Sequence, residues 1–344
     1  MFVLLFQSAG LLLAFLCLLL IGLLVFNPLF LMNFVARSND VSCVKDIGYG
    51  KKSGVLFERH NLDIYVPSKL NGYDTKIVAT RKPVIVFVHG GAWDTGHKDD
   101  YKFAAMEFAK LGYITAVPNY RLYPEAKFPH FIEDVALACT TLPCQLNALL
   151  PHVFQTAFNG SPLDIILIGH SAGAHTVAML NSQPEYLKQA ENKILNRNKA
   201  PTNHEAALVN IKSCIGMAGP YDLPLDDPLV VGKFDGIELH SISETHKDAG
   251  HVHNSHDANP INFAHKGMAP MLLMHGRADE TVGLYHLERF AKRLKALGVS
   301  HETIIYDKVP HKHMVAGLAV LFHGFNDVFK DIKHYLEKID DLRQ

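Results

Sequence analysis

Ile168-Gly169-His170-Ser171-Ala172-Gly173-Ala174-His175 is the stretch around which the chain is organised. Just upstream, Asp164-Ile165-Ile166-Leu167-Ile168 is short, β-branched and apolar on both faces, the pattern of a parallel strand covered by helices on each side. Downstream, Ala172 to Asn181 is small and helix-forming. A Gly-x-Ser-x-Gly set between such a strand and such a helix reads as a nucleophile elbow. The serine sits on a sharp, strained turn, and the glycines two residues to either side let the chains pass closely. Its hydroxyl then stands at the carboxyl edge of a sheet, near the positive end of a helix. The same pattern fits a tight glycine turn with an inert serine, so the partners of Ser171 decide between the two.

The first partner precedes the elbow. Lys82-Pro83-Val84-Ile85-Val86-Phe87-Val88 reads as a buried strand running into His89-Gly90-Gly91-Ala92-Trp93. Acyl transfer develops negative charge on a carbonyl oxygen, and backbone N–H groups fixed in advance stabilise it without reorganising. Adjacent glycines after a strand permit such a loop. The expected donors are the amides of Gly91 and Ala92, joined by that of Ala172 directly after the serine, with Gly90 permitting the turn.

The pairing of His89-Gly90-Gly91-Ala92-Trp93 with Gly169-His170-Ser171-Ala172-Gly173 resembles the α/β-hydrolase esterases of the hormone-sensitive-lipase and feruloyl-esterase-like (BD-FAE) group. Asn119-Tyr120-Arg121-Leu122-Tyr123-Pro124-Glu125, Phe128-Pro129 and Glu133-Asp134 resemble the same group. Gly219-Pro220-Tyr221-Asp222-Leu223, and the lack of a third glycine after His89, look more like its prenylcysteine methylesterase and kynurenine formamidase branch. The resemblance runs from about Asp46 to the end. It implies an α/β-hydrolase fold with a mostly parallel eight-stranded sheet and helices on both faces. The implied activity is that of a serine carboxylester hydrolase with an acyl-enzyme intermediate and no cofactor.

That fold carries its acid and base after the serine. Pro270 to Met274 is another buried strand, and Asp279, in His275-Gly276-Arg277-Ala278-Asp279-Glu280, stands where the family keeps its acid, with Glu280 as the neighbouring competitor. After a helix over about Gly283 to Leu297 and a strand His301 to Tyr306, two histidines compete in Pro310-His311-Lys312-His313-Met314. In related sequences the base is followed by one residue and then the last helix. This favours His313, with Met314 to Leu321 read as that helix.

Outside this core, Met1 to Ala36 carries no charged side chain, and Leu11 to Phe26 is almost wholly apolar. It lacks the basic start and cleavage site of a secretory signal and is long enough to span a bilayer. Residues 1–36 are therefore expected to be a single transmembrane anchor, with an atypical cleaved signal as the alternative, 37–52 a juxtamembrane linker and 53–344 the catalytic domain. Arg37, Lys45, Lys51 and Lys52 follow the span, a slight bias toward a cytoplasmic domain that leaves the side open. Asn61 to Val66 alternates like a half-exposed strand at an antiparallel sheet edge.

A net charge of −1 with scattered lysine and arginine argues against nucleic acid. The expected partners are a small-molecule ester, lipid-like esters included, and the membrane. Five cysteines fit no zinc spacing, and Cys139 could bridge Cys144 only if the helix carrying them ends there. Two polar insertions, Gln183 to Glu205 and Asp222 to Asn259, are expected to cap the site and choose the substrate. The second holds His240, His246, His251, His253 and His256, without a fixed acidic or cysteine partner, and reads as a solvated loop, not a metal site. His170 and His175 flank the serine as packing or supporting residues. Two other readings stay open: an arylformamidase-like amide hydrolase, and a non-catalytic binding protein on a hydrolase fold, although the serine, acid and base positions are all filled.

Overall fold

The computed structural model describes residues 28–341 except 53–54, 57, 69–81, 152–160, 198–207, 225–229, 231 and 235–257. Its main sheet is built from β1 (Val41–Gly48), β2 (Asn61–Pro67), β3 (Val84–Val88), β4 (Thr115–Pro118), β5 (Leu163–His170), β6 (Val209–Met217), β7 (Met271–Gly276) and β8 (His301–Tyr306). These eight strands lie in the order β1-β2-β4-β3-β5-β6-β7-β8. Strands β1 and β2 are antiparallel to their neighbours; all later pairings are parallel.

The apolar runs of the parallel strands are buried on both faces because helices cover both. Val84, Val86 and Val88 pack into one core with Ile165 and Leu167, while Ile85, Phe87, Ile166 and Ile168 pack into a second core on the opposite face. Helices α3 (His130–Leu149), α4 (Ala172–Ser182) and α6 (Tyr285–Leu297) close the first. Helices α2 (Lys102–Lys110), α7 (His311–Ala316) and α8 (Val328–Asp341) close the second. A further helix, α5 (Glu185–Arg197), lies in the first polar insertion and packs on α3.

Register brings the chemistry to one edge. Val88 lies opposite Gly169, His170 opposite Met217, Met217 opposite Met274 and Gly276 opposite Tyr306. The loops leaving β3, β5, β7 and β8 therefore emerge side by side, and they carry His89 to Trp93, Ser171, Asp279 and His311.

Two features differ from the sequence reading, and one choice it left open is decided. Strand β2 is interior and buried, not a half-exposed edge; the edge is β1, which lies in the stretch read as a linker. The polar member of the β2 alternation, Asp63, is fully buried and paired with Lys98 Nζ at 2.8 Å, so its charge does not mark a wet face. Helix α1 (Pro28–Val35), within the expected anchor, packs on the domain. Leu31, Met32 and Ala36 are buried, Asn33 Nδ2 donates to Asp99 O at 2.9 Å, and its Oδ1 accepts from Phe103 N at 2.9 Å, capping α2. Among the described residues no helix is long and apolar enough to cross a membrane; the rest of the expected span, residues 1–27, lies outside them. Finally, α3 continues through Cys139 and Cys144, and both are free thiols, one buried and one exposed.

Candidate active site

Ser171 ends β5 and opens α4 with φ 55° and ψ −121°, a left-handed conformation that a residue with a Cβ adopts only under constraint. The constraint is local. Ser171 N donates to Met217 O at 2.9 Å, and His175 N donates to Ser171 O at 3.1 Å. A Cβ at Gly169 would collide with the backbone of Gly173, and one at Gly173 would collide with the carbonyls of Val88 and His89. Both glycines are therefore required by close packing of strand, turn and helix.

His311 Nε2 lies 2.9 Å from Ser171 Oγ, and His311 Nδ1 lies 2.7 Å from Asp279 Oδ2. A carboxylate only accepts, so Nδ1 carries the proton and Nε2 accepts from the serine hydroxyl. His313, expected as the base, is exposed and takes no part. The reason is the start of α7. Its N-cap is Pro310, so the helix begins at His311 and not at Met314. Three residues on, buried Met314 shares the inward face of His311, whereas His313 is turned about 200° from His311 around the axis. A proline immediately before His311 was the available signal, since proline is favoured at helix starts.

Asp279 is held on several sides. Its Oδ1 accepts from Thr281 N at 2.9 Å and Val282 N at 2.8 Å, while the neighbouring Glu280 is exposed. Burial opposes ionisation of Asp279, but the His311 bond and the two amides outweigh it and keep the carboxyl below its ordinary value. His275, which sequence reasoning did not single out, donates from Nε2 to Val282 O at 2.9 Å and so fixes the loop that presents Asp279. Its position at the end of β7, in a run of buried residues, is the signal in retrospect.

His170 packs behind His311. Its Nε2 is 3.1 Å from the carbonyl of His311, and the two rings lie 4.9 Å apart. Burial pushes the His170 imidazole down to about 3, so it is neutral and adds no charge beside His311. His175 is likewise driven down to about 4 by burial; it packs edge-on against Trp93 and bonds Ala258 O at 2.6 Å.

The loop after β3 completes the site. Gly91, Ala92 and Trp93 have φ of 123°, 49° and 61°, three successive left-handed residues. Gly90 abuts the elbow, where an added Cβ would press on Ser171 Cβ and His170 O. The carbonyls on the far side of these peptides are all engaged. Gly90 O accepts from His89 Nδ1 at 2.8 Å, and Gly91 O accepts from Asp94 N, Thr95 N and Thr95 Oγ1 at 3.1, 2.9 and 3.0 Å. The N–H groups of Gly91 and Ala92 have no acceptor among the described residues, and that of Ala172, in the first turn of α4, has none within its helix. The structure thus gathers Ser171, Asp279, Gly91, Ala92 and Ala172 at one edge and replaces His313 by His311.

Among the described residues, no group of three or more His, Cys, Asp and Glu could hold a metal ion; the histidine-rich run 240–256 lies outside them.

Comparison with known proteins agrees with this architecture. An isoprenylcysteine alpha-carbonyl methylesterase of Arabidopsis thaliana is 27% identical over 290 residues, covering 82% of this chain and 60% of its own length. The esterase LipC of Mycobacterium tuberculosis is 27% identical over 233 residues, covering 66% of this chain and 51% of its own. The chain therefore spans between half and two thirds of the length of these relatives. Among solved structures, esterase B from Lactobacillus rhamnosis, inhibited by a tributyrin phosphonate, superposes with a TM-score of 0.63 at 15% identity, covering 90% of each chain. A truncated carbohydrate esterase from gut microbiota gives 0.60 at 21% identity over 89% of this chain and 99% of its own. These likenesses show the α/β-hydrolase fold. The BD-FAE family model matches residues 62–294, well over half of the sequence, from within β2 into α6, so the chain belongs to the BD-FAE family.

Proposed function

We propose that the protein is a serine carboxylester hydrolase that works through an acyl-enzyme on Ser171. The observation that carries this reading is the hydrogen-bond chain from Asp279 through His311 to Ser171, at 2.7 and 2.9 Å. His311 Nε2 takes the hydroxyl proton as Oγ attacks the ester carbonyl, and Asp279 holds the tautomer and stabilises the imidazolium. The carbonyl oxygen becomes an oxyanion facing the amides of Gly91, Ala92 and Ala172. The alcohol leaves with the proton from His311. Water, deprotonated by the same histidine, then releases the acid and restores Ser171. The methylesterase and esterase names of the relatives support an ester as the substrate.

The test is hydrolysis of p-nitrophenyl acetate, butyrate and a long-chain ester, and of an aryl formamide, by the full-length chain in detergent beside Ser171→Ala. Turnover and fluorophosphonate labelling that vanish together in the variant are expected. A folded wild-type chain that neither turns over nor labels would overturn the reading in favour of a binding protein.

We further propose that residues 1–27, which lack any charge, hold the chain in a bilayer as a single span, and that lipid-like esters are within reach of the site. The first residues to follow support this. Phe30 and Phe34 are 53% and 52% exposed and stacked at 6.2 Å on the outer side of α1, and the Arg37 guanidinium sits 4.7 Å over the Phe34 ring. Exposed apolar rings suit contact with lipid, and an arginine beside them can reach back to the headgroups. Retention of the chain in membranes through alkaline carbonate extraction is expected; release into the supernatant would overturn the anchor.

A further inference from the structure

Gly90 O and Gly91 O are held by neighbours in the loop after β3, and His89 O and Trp93 O by Tyr120 Oη at 2.9 Å and Tyr123 N at 2.8 Å, just beyond β4. The carbonyl of Ala92 is held from much farther along the chain. Ala92 O accepts from Lys233 Nζ at 2.9 Å, and Lys233 comes from the second polar insertion, 141 residues away in sequence. The side chain of Lys233 is only 8% exposed, and its ammonium is neutralised by Asp94 Oδ2 at 2.6 Å. Its backbone is fixed at both ends, with Lys233 N donating to Val230 O at 3.0 Å and Lys233 O accepting from Phe128 N at 2.9 Å. The next residue, Phe234, packs edge-on against Trp93 at 4.9 Å and stacks on Phe128 at 5.4 Å.

Within this loop the Ala92–Trp93 peptide joins two non-glycine residues in the left-handed region, each held there against its own steric preference. Its plane sets ψ of Ala92 and φ of Trp93. A compact ammonium on its carbonyl opposes the rotation that would relieve both residues, and with it a drift of the Ala92 N–H. Because Asp94 balances the charge, the effect is one of geometry and not of field.

We infer that Lys233 is a positioning residue for the oxyanion loop, so that the insertion expected to choose the substrate also sets the aim of the Ala92 amide. The inference rests on the esterase reading above. A donor that is misaimed and not lost should cost less than the 10²–10³-fold of outright removal, about tenfold in kcat. Interactions made only in the transition state lower kcat while leaving ground-state binding intact.

The experiment compares the full-length wild type with Lys233→Met on a short p-nitrophenyl ester and on a trifluoromethyl ketone, whose hemiketal adduct carries an oxyanion at the same place. Expected are a kcat lower by about tenfold, KM within about twofold, and a Ki for the ketone raised in step with kcat/KM. Loss of stability alone would not produce that pairing. If Lys233→Met does not fold, Lys233→Arg serves. It keeps the pair with Asp94 but offers a planar fork in place of a compact ammonium, so the same separation of kcat from KM is expected. An active wild type whose folded variant retains kcat and Ki within twofold, or changes KM alone, overturns the role of Lys233. A wild type without turnover or fluorophosphonate labelling overturns the esterase reading, and this inference with it.

Discussion

His311 and His313 stand two residues apart on the first turn of α7, yet only His311 meets the serine: its Nε2 is 2.9 Å from Ser171 Oγ, and its Nδ1 is 2.7 Å from Asp279. His313 is exposed. Replacing His311 by Ala is expected to lower kcat on the order of 10⁴-fold or more, as for loss of a general base that acts as a unit with its nucleophile. His313→Ala is expected to leave kcat within about twofold, a surface change on a short helix. Steady-state kinetics on p-nitrophenyl butyrate separate the two, and a large loss in His313→Ala with His311→Ala active would reverse the assignment.

Asp279 and Glu280 make the corresponding pair for the acid. An Asn at 279 presents an amide N–H to His311 Nδ1 and favours the tautomer protonated at Nε2, which cannot accept from Ser171. Asp279→Asn should therefore cut kcat on the order of 10⁴-fold while the fold is retained. Glu280 is exposed, and Glu280→Gln should be silent. Circular dichroism beside the kinetics shows whether structure or tautomer is at fault.

Acid should destabilise the fold through histidines that burial keeps neutral well below their ordinary range. Burial drives His89 and His170 to about 3 and His175 to about 4, from an ordinary 6.5. Below 6.5 the unfolded chain binds protons that the folded chain refuses. The stability these groups contribute is thus complete above about pH 6.5 and lost as pH falls toward 3–4, at up to ~1.4 kcal/mol per pH unit for each. Asp279, held below its ordinary value, adds a loss of the same sign at the acid end. Urea midpoints taken between pH 7.5 and 4.5 should fall steeply. His175→Gln should flatten the slope, and a midpoint level down to pH 5 would contradict the argument.

The amino-terminal boundary is testable by truncation. Residues 28–36 place Leu31, Met32 and Ala36 in the core and cap α2 through Asn33. Removing residues 1–27 should leave the melting temperature and the turnover of short soluble esters unchanged. Removing 1–36 uncovers buried side chains worth ~1.5–3 kcal/mol each for Leu and Met, lowering the melting temperature by roughly 5–10 °C. Equal melting of the two truncations would show α1 to be dispensable.

How far the sequence reaches depends on the range of the interaction. The elbow, the buried strands β3, β5 and β7 and the loop after His89 are local: strand period, glycine spacing and turn chemistry write them into a few consecutive residues, whereas the placement of Asp279 followed from the resemblance to the family. The choice of His311 over His313 turned on where α7 begins, a matter of one helical turn set by Pro310 and by Met314 seeking the core. The interior place of β2 was hidden because Asp63 finds its counter-charge in Lys98, 35 positions on, and looks like a solvent-facing residue until that partner is in place. Lys233 is the extreme case. Nothing around it marks it, and only the fold, by closing an insertion over the loop after β3, puts its ammonium on Ala92 O. The sequence by itself determined the elbow with its strand and helix, because those depend on neighbours in the chain. The tertiary structure alone decided which histidine meets the serine and which buried charges hold the loops, because those depend on packing between segments that the chain separates.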